Sequence, residues 1–168
     1  MNTKIKISGI KKNHLANLVD FFNDERVIFG TAILPLISET DIEKKFFNEN
    51  THTILAQLDT KIVGICSLTW GKHRWRTISS LFLAVSSDEH NKGIGKLLTN
   101  TALNIAFKYL SMHKVEIEVY SDNPAAIKMY KDIGFVYEGT KRKNAQRDGQ
   151  YVDGMFFSIL NEEWGVEI

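Results

Sequence analysis

The stretch Leu81-Phe-Leu-Ala-Val-Ser-Ser-Asp-Glu-His-Asn-Lys-Gly-Ile-Gly-Lys-Leu-Leu98 decides how the chain is read. A short apolar run suited to a strand gives way to a polar turn holding two glycines. A helix then opens, with Ile94, Leu97, Leu98, Ala102, Ile105, Ala106 and Tyr109 forming one apolar stripe at helical spacing. Unpaired N–H groups at a helix start, with the positive end of its dipole, make an anion site. Gly93 and Gly95 let the backbone approach phosphate oxygens, and Lys92 and Lys96 add positive charge. A plain helix start with a flexible approach reads equally well from these residues alone. Two phosphate motifs are excluded. A Walker A loop needs Gly at the place of His90 and Ser or Thr at that of Leu97. A dinucleotide fingerprint needs Gly or Ala at the place of Leu98.

Upstream, Lys4, Ile5, Lys6 and Ile7 alternate and predict a first strand over residues 3–8. Asn13 precedes Leu15, Leu18, Val19 and Phe22, which predicts a helix with Asn13 as its cap. Residues 26–37 are apolar but broken by Gly30 and Pro35, and read as an ordered loop. Ser38 and Asp41 resemble a capping box that opens a second helix to about Asn50. Thr53–Leu58 and Lys61–Thr69 are strands joined at Asp59–Thr60, and a hairpin through Gly71–Arg76 leads to a strand at Thr77–Val85.

Downstream of the glycine turn and its helix, Lys114–Tyr120 alternates Val115, Ile117 and Val119 against Glu116, Glu118 and Tyr120. Pro124 starts a short helix that Gly134 ends. Phe135–Arg147 and Gln150–Leu160 close a hairpin over Asp148–Gly149. The predicted order is β-α-α-β-β-β-α-β-α-β-β, an α/β chain with a mixed sheet, read as a single domain over residues 1–168.

Composition bounds the function. At 168 residues the chain is long enough to bury a core without metal or disulfide. Hydrophobic residues at 43% and charged residues at 24% exclude a disordered or fibrous chain. The longest apolar run, Leu81–Val85, is far short of a membrane span, and no secretory signal is expected at the start. One cysteine, Cys66, forms no internal disulfide, which fits a reducing cytoplasm. Net charge +1 gives no argument for nucleic acid or an anionic membrane, so neither is expected as a partner. The five histidines show no metal-ligand spacing, and no metal is expected.

Locally the charge is uneven. Residues 13–50 hold seven acids against three bases, a net −4 that attracts cations. Lys141, Arg142, Lys143 and Arg147 suit either a substrate carboxylate or cofactor phosphates, or a solvated hairpin surface. Phe29, Ile33, Leu34, Leu36 and Ile37 suit either an apolar pocket or ordinary core. Trp70, His73 and Trp75 flank a hairpin turn and carry no assigned chemistry.

His90-Asn91-Lys92-Gly93-Ile94-Gly95 resembles the Arg/Gln-x-x-Gly-x-Gly/Ala acetyl-coenzyme A signature of the GNAT N-acetyltransferase superfamily. Asn123-Pro-Ala-Ala-Ile-Lys-Met-Tyr130-Lys-Asp-Ile-Gly134-Phe135 resembles that superfamily's Asn-x-x-Ala…Tyr-x-x-x-Gly-Phe segment. The tail from Glu138 to Asp153 resembles the branch of ribosomal-protein N-terminal, polyamine and bacterial L-amino-acid N-acetyltransferases. His90 departs from the superfamily's usual Arg or Gln.

The resemblance implies acetyl-CoA as cosubstrate, a small primary amine as acceptor, and a cytoplasmic homodimer. It places the diphosphate on the turn Asn91, Lys92, Gly93, Ile94, Gly95 and Lys96, with Asn123 as a further cofactor contact. It pairs the pantetheine arm with backbone groups of Leu83 and Val85, with an amide near Leu83 or Ala84 facing the thioester oxygen. It makes Tyr130 both a cofactor contact and the general acid. Many members carry a carboxylate on the strand equivalent to 77–85, and this strand has none. Glu116 and Glu118 remain as candidates for the base, either of them equally readable as a paired surface glutamate. An α-amine of pKa near 8 is already about 10% neutral at pH 7, whereas one near 10.4 is neutral in under about 0.1%. A site without a strong base therefore suits an α-amine. A polyamine acetyltransferase and a non-catalytic acyl-CoA-binding module remain as alternatives.

Overall fold

In the computed structural model, the described residues run from Lys4 to Gly165. The elements in chain order are β1 (Lys6–Gly9), α1 (Leu15–Phe22), α2 (Glu25–Gly30), α3 (Glu39–Phe46), β2 (Thr51–Leu58), β3 (Lys61–Trp70), β4 (Ile78–Val85), α4 (Ile94–Lys108), β5 (Lys114–Tyr120), α5 (Pro124–Ile133), β6 (Val136–Arg147) and β7 (Gln150–Leu160). The mixed α/β class holds. Hydrogen-bonded strand order is β1-β2-β3-β4-β5-β7-β6, with β4 and β5 parallel and β5 and β7 antiparallel. Among the described residues no helix is long and apolar enough to cross a membrane.

Three local expectations change. Residues 26–37 are not wholly a loop, because α2 occupies Glu25–Gly30. Asp24 caps it, accepting from Arg26 N at 2.9 Å, and Glu25 places a negative charge in the first turn. Asn13 is not a cap. It lies in a 3₁₀ turn over Lys12–His14, and α1 starts at Leu15. The helix opened by Ser38 stops at Phe46 rather than Asn50. The Asn48 side chain donates to the carbonyls of Lys45 and Lys44 and closes the turn.

The chain forms two compact units. One takes residues up to Thr69 together with Phe82–Ala102; the other takes Trp70–Leu81 and the chain from Leu103 onward. In the first unit, Leu18, Phe21, Phe22, Val27, Ile42 and Phe46 from the three helices pack with Leu55, Ile62, Ile65 and Ala84 of the strands. The Phe22 and Phe46 rings stack at 5.4 Å, and Phe82 lies 5.6 Å from Phe46. Each such buried side chain contributes about 1.5–3 kcal/mol. Gly64 of β3 admits the start of α4, since a Cβ there would lie 2.8 Å from Leu98 Cδ1.

In the second unit, β5 buries Val115, Ile117 and Val119 on one face, as its alternation requires. Phe157 and Ile159 of β7 are buried opposite Ile117 and Val115. Tyr130 and Phe135 meet edge to face at 5.4 Å. The apolar stripe is narrower than expected: Leu97 of α4 is 43% exposed, and Tyr109, just past the helix end, is 75% exposed.

Candidate active site

The glycine turn belongs to the first unit. After β4 the chain makes a 3₁₀ turn over Ser87–Glu89, then enters left-handed backbone at Asn91 (φ 61°) and Gly93 (φ 79°). Gly is needed at the second of these, where a side chain is strained. A Cβ added to Gly93 would meet nothing within 4 Å, so the space beside it is open. The first helical bond of α4 runs from Leu97 N to Gly93 O at 2.9 Å. The amides of Ile94, Gly95 and Lys96 precede it and point out of the helix start. The Ile94 side chain is buried in the core, so only its backbone serves the turn.

Side chains near the turn rearrange the expected charge. Lys92 Nζ is 3.0 Å from Glu89, so its charge is largely offset. Lys96 stands exposed on the first turn of α4. His90, the departure from the superfamily's pattern, has its Nε2 3.1 Å from Val85 O. A carbonyl only accepts, so Nε2 carries the hydrogen and ties the turn to the end of β4. Arg26 Nη1 reaches Asp88 at 2.9 Å, joining α2 to the same turn. Its pairing with Asp24 holds that carboxyl below its usual range.

On β4, Ala84 is buried, while Leu83 and Val85 are half-buried. Parallel pairing with β5 spans Ile78↔Lys114 to Ser80↔Glu116. The main chain at Leu83–Val85 lies beyond that stretch.

In the second unit, α5 holds two of the expected residues. Asn123 caps it, accepting from Ala126 N at 3.1 Å, with Pro124 in the first turn. Tyr130 is 3% exposed on the same helix. Gly134 ends the helix at φ 113°.

The outer face of β5 separates the two candidate carboxylates. Glu116 Oε1 is 2.9 Å from Lys114 Nζ, which also holds Glu138 at 2.9 Å. Burial opposes the Lys114 charge, but the hydrogen bonds that Lys114 donates to Glu116 and Glu138 outweigh it and raise its pKa above the ordinary lysine value. Lys114 and Ser158 in turn hold Glu138 below the usual carboxylate range. Glu118 has a different partner, the neutral amide of Asn144. Tyr120, next on that face, carries the Arg147 guanidinium 4.6 Å from its ring centre, and Arg147 also pairs with Asp122. Burial, first of all, pushes the Tyr120 hydroxyl up.

The basic run of β6 is therefore not simply solvated. Lys141 lies 4.1 Å over the Phe156 ring, and Arg147 is engaged as described. Asn144 and Lys114 belong to no site motif that the sequence offers. A signal existed for the first, since Asn is depleted in strand interiors. Of the expected apolar pocket, Ile33 is buried core and Ile37 packs against it, while Leu34 and Leu36 are 79% and 90% exposed. Trp75 is also exposed.

A strand that ends in a glycine turn, and a helix that starts on unpaired amides, lie in the segment where the chain matches a known family. The chain belongs to the acetyltransferase (GNAT) family, whose model matches residues 17–135. It is an N-acetyltransferase. The L-amino acid N-acetyltransferase AaaT of Escherichia coli is 30% identical over 106 residues, covering 62% of this chain and 65% of that protein, just under two thirds of its length. A spermidine N(1)-acetyltransferase of Vibrio cholerae is 24% identical over 171 residues, 98% of this chain and 97% of that protein. In fold, the crystal structure of spermidine N-acetyltransferase from Vibrio cholerae in complex with CoA and spermine superposes with a TM-score of 0.84. It has 20% identity and covers 96% of this chain and 98% of that one.

Proposed function

We propose that this enzyme transfers acetyl from acetyl-CoA directly to a small primary amine, the α-amine of an amino acid or peptide. The observation that carries the reading is the turn at Asn91–Lys96, where outward amides and the open side of Gly93 make a cradle for a diphosphate. Asn91, Lys92, Gly93, Ile94, Gly95 and Lys96 hold that group mainly through main-chain nitrogens, and Asn123 adds a contact beside its capping role. The backbone of Leu83 and Val85 aligns the pantetheine arm, and an amide at Leu83 or Ala84 donates to the thioester oxygen. Residues 1–168 act as one catalytic domain, a reading supported by α4 and β4 running through both units.

Acetyl-CoA supplies a thioester carbon for the amine to attack, with the thiolate as leaving group. The residues manage the protons. Of the two glutamates, Glu116 is tied to an ammonium that it shares with Glu138, and Glu118 meets a neutral amide. Glu118 therefore takes the amine proton, directly or through one water, as the nitrogen–carbon bond forms. Tyr130 gives its hydroxyl proton to sulfur as the carbon–sulfur bond breaks, and recovers one from solvent. A thiol of pKa about 8.5 needs only a weak acid, and a phenol near 10 suffices. The exposed side chains of Phe29, Leu34 and Leu36 suit an apolar acceptor.

A polyamine acceptor is the second reading. It is supported by a cavity of about 340 Å³ in the first unit, lined by Asp20 and Asp24 against a single cation, Lys61, and by the name of the Vibrio relative. Thiol release from acetyl-CoA across L-leucine, L-methionine, L-phenylalanine, an alanine-led tripeptide, spermidine and spermine separates the readings. Fastest turnover with an α-amine supports the first, and with spermidine or spermine the second. Thermal stabilisation by acetyl-CoA without turnover on any amine makes the chain a non-catalytic binding module. Tyr130→Phe is expected to lower kcat about 100-fold, the scale of one lost acid catalyst, with acetyl-CoA affinity unchanged. Intact turnover removes Tyr130 from the mechanism. The family resemblance also carries a cytoplasmic homodimer, and light scattering of the purified chain tests the dimer.

A further inference from the structure

Strand β6 is longer than its partner needs. Lys141 pairs with Gly154 and Ala145 with Val152, so Arg142, Lys143 and Asn144 stand opposite Asp153 alone. Such a bulge gives up ladder bonds and bends the strand. Lys143 adopts left-handed backbone (φ 51°), a conformation costing about 1–2 kcal/mol outside glycine. Asp153 Oδ1 anchors it by accepting from Lys143 N at 2.7 Å. The surplus brings Asn144 Nδ2 onto Glu118 Oε1. Gly154 leaves the gap through which they meet. A Cβ there would lie 2.7 Å from Glu118 Oε1 and 2.8 Å from Asn144 Nδ2.

Glu116 and Glu118 sit two residues apart on one face, yet one is held by a cation and the other by a neutral amide. A shared ammonium ties Glu116 into an ion-pair network with Glu138, whereas one neutral donor fixes the direction of the Glu118 carboxylate. We infer that Asn144 is a positioning residue for the acetyl transfer: presented by the β6 bulge across Gly154, its amide orients the Glu118 carboxylate toward the acceptor nitrogen. This rests on Glu118 as the base.

The test is a double-mutant cycle, run with saturating acetyl-CoA and the fastest amine of the panel above. Glu118→Gln is expected to lower kcat about 100-fold, the scale of one lost base catalyst. Asn144→Ala is expected to lower kcat about fivefold to tenfold, the effect of one lost orienting hydrogen bond, with KM for acetyl-CoA within about twofold. In the Glu118→Gln background, Asn144→Ala should cost nothing further, because the group it orients is gone. Gly154→Ala should mimic Asn144→Ala, and Asn144→Gln should recover part of the loss. Thermal melts of every variant keep folding losses apart.

Equal losses from Asn144→Ala in both backgrounds overturn the proposal and leave Asn144 a structural residue. So does a crippled Glu118→Gln enzyme beside an unaffected Asn144→Ala one, with Glu118 still the base. Full turnover by Glu118→Gln, or none on any amine by the unaltered enzyme, overturns both the base and its positioning.

Discussion

The turn before α4 offers main-chain nitrogens, whereas the outer face of β5 offers side chains. The first has His90 where the family signature it resembles carries Arg or Gln, and that imidazole ties the turn to Val85. The second depends on which neighbour each carboxylate meets, Lys114 for Glu116 and Asn144 for Glu118. A backbone site is fixed by conformation at one or two residues. A side-chain site is fixed by partners that arrive from other strands.

The sharpest way to break the contrast is Gly93→Glu. The backbone there is left-handed, so folding loses about 1–2 kcal/mol. The carboxylate enters space where nothing lies within 4 Å of the new Cβ. A like charge about 4 Å from a diphosphate costs about 4 kcal/mol at an effective dielectric near 20, roughly a thousandfold in affinity. Calorimetric titration with CoA checks this, and unaltered affinity would place the diphosphate elsewhere. A smaller effect is expected from His90→Ala. Freeing the Val85 carbonyl should raise KM for acetyl-CoA about threefold to tenfold, the worth of one hydrogen bond, and leave kcat in place. A fall in kcat alone would give the imidazole a role beyond the tether.

The smallest effect belongs to the Lys114, Glu138 and Ser158 network. Hydrogen bonds from Lys114 and Ser158 keep the Glu138 pKa depressed in the folded chain. Its contribution is complete above the unfolded carboxylate value of about 4.3 and fades as pH falls through the lower folded one. Glu138 is 43% exposed, so solvent screening limits Glu138→Gln to under about 1 kcal/mol at pH 7. Urea midpoints of the two proteins should converge once the pH has fallen below the depressed folded value. A gap that persists after full protonation would show that the carboxylate charge is not what the network uses.

The same contrast governs what could be read from residues alone. Elements punctuated locally were legible: Asn123 and Pro124 open α5, Gly134 closes it, and Asp148–Gly149 turns the last hairpin. The glycine turn was legible for the same reason. Helix α2 was not, because it has six residues and buries only Val27, leaving little periodicity beside Gly30 and Pro35. The narrowing of the apolar stripe at Leu97, and its end before Tyr109, depend on what covers the helix, which spacing does not encode. The Asn144 contact was least visible. It arises from a two-strand register mismatch, and no window of β6 alone contains it.

Cys66, the chain's single cysteine, is fully buried on β3, and burial pushes its thiol far above the ordinary range. Little thiolate forms at neutral pH, and reagents do not reach the sulfur. A disulfide reagent that counts liberated coenzyme therefore reads product against a silent protein. Left with the bare chain, the same reagent becomes a clock, colouring only as fast as β3 opens to admit it.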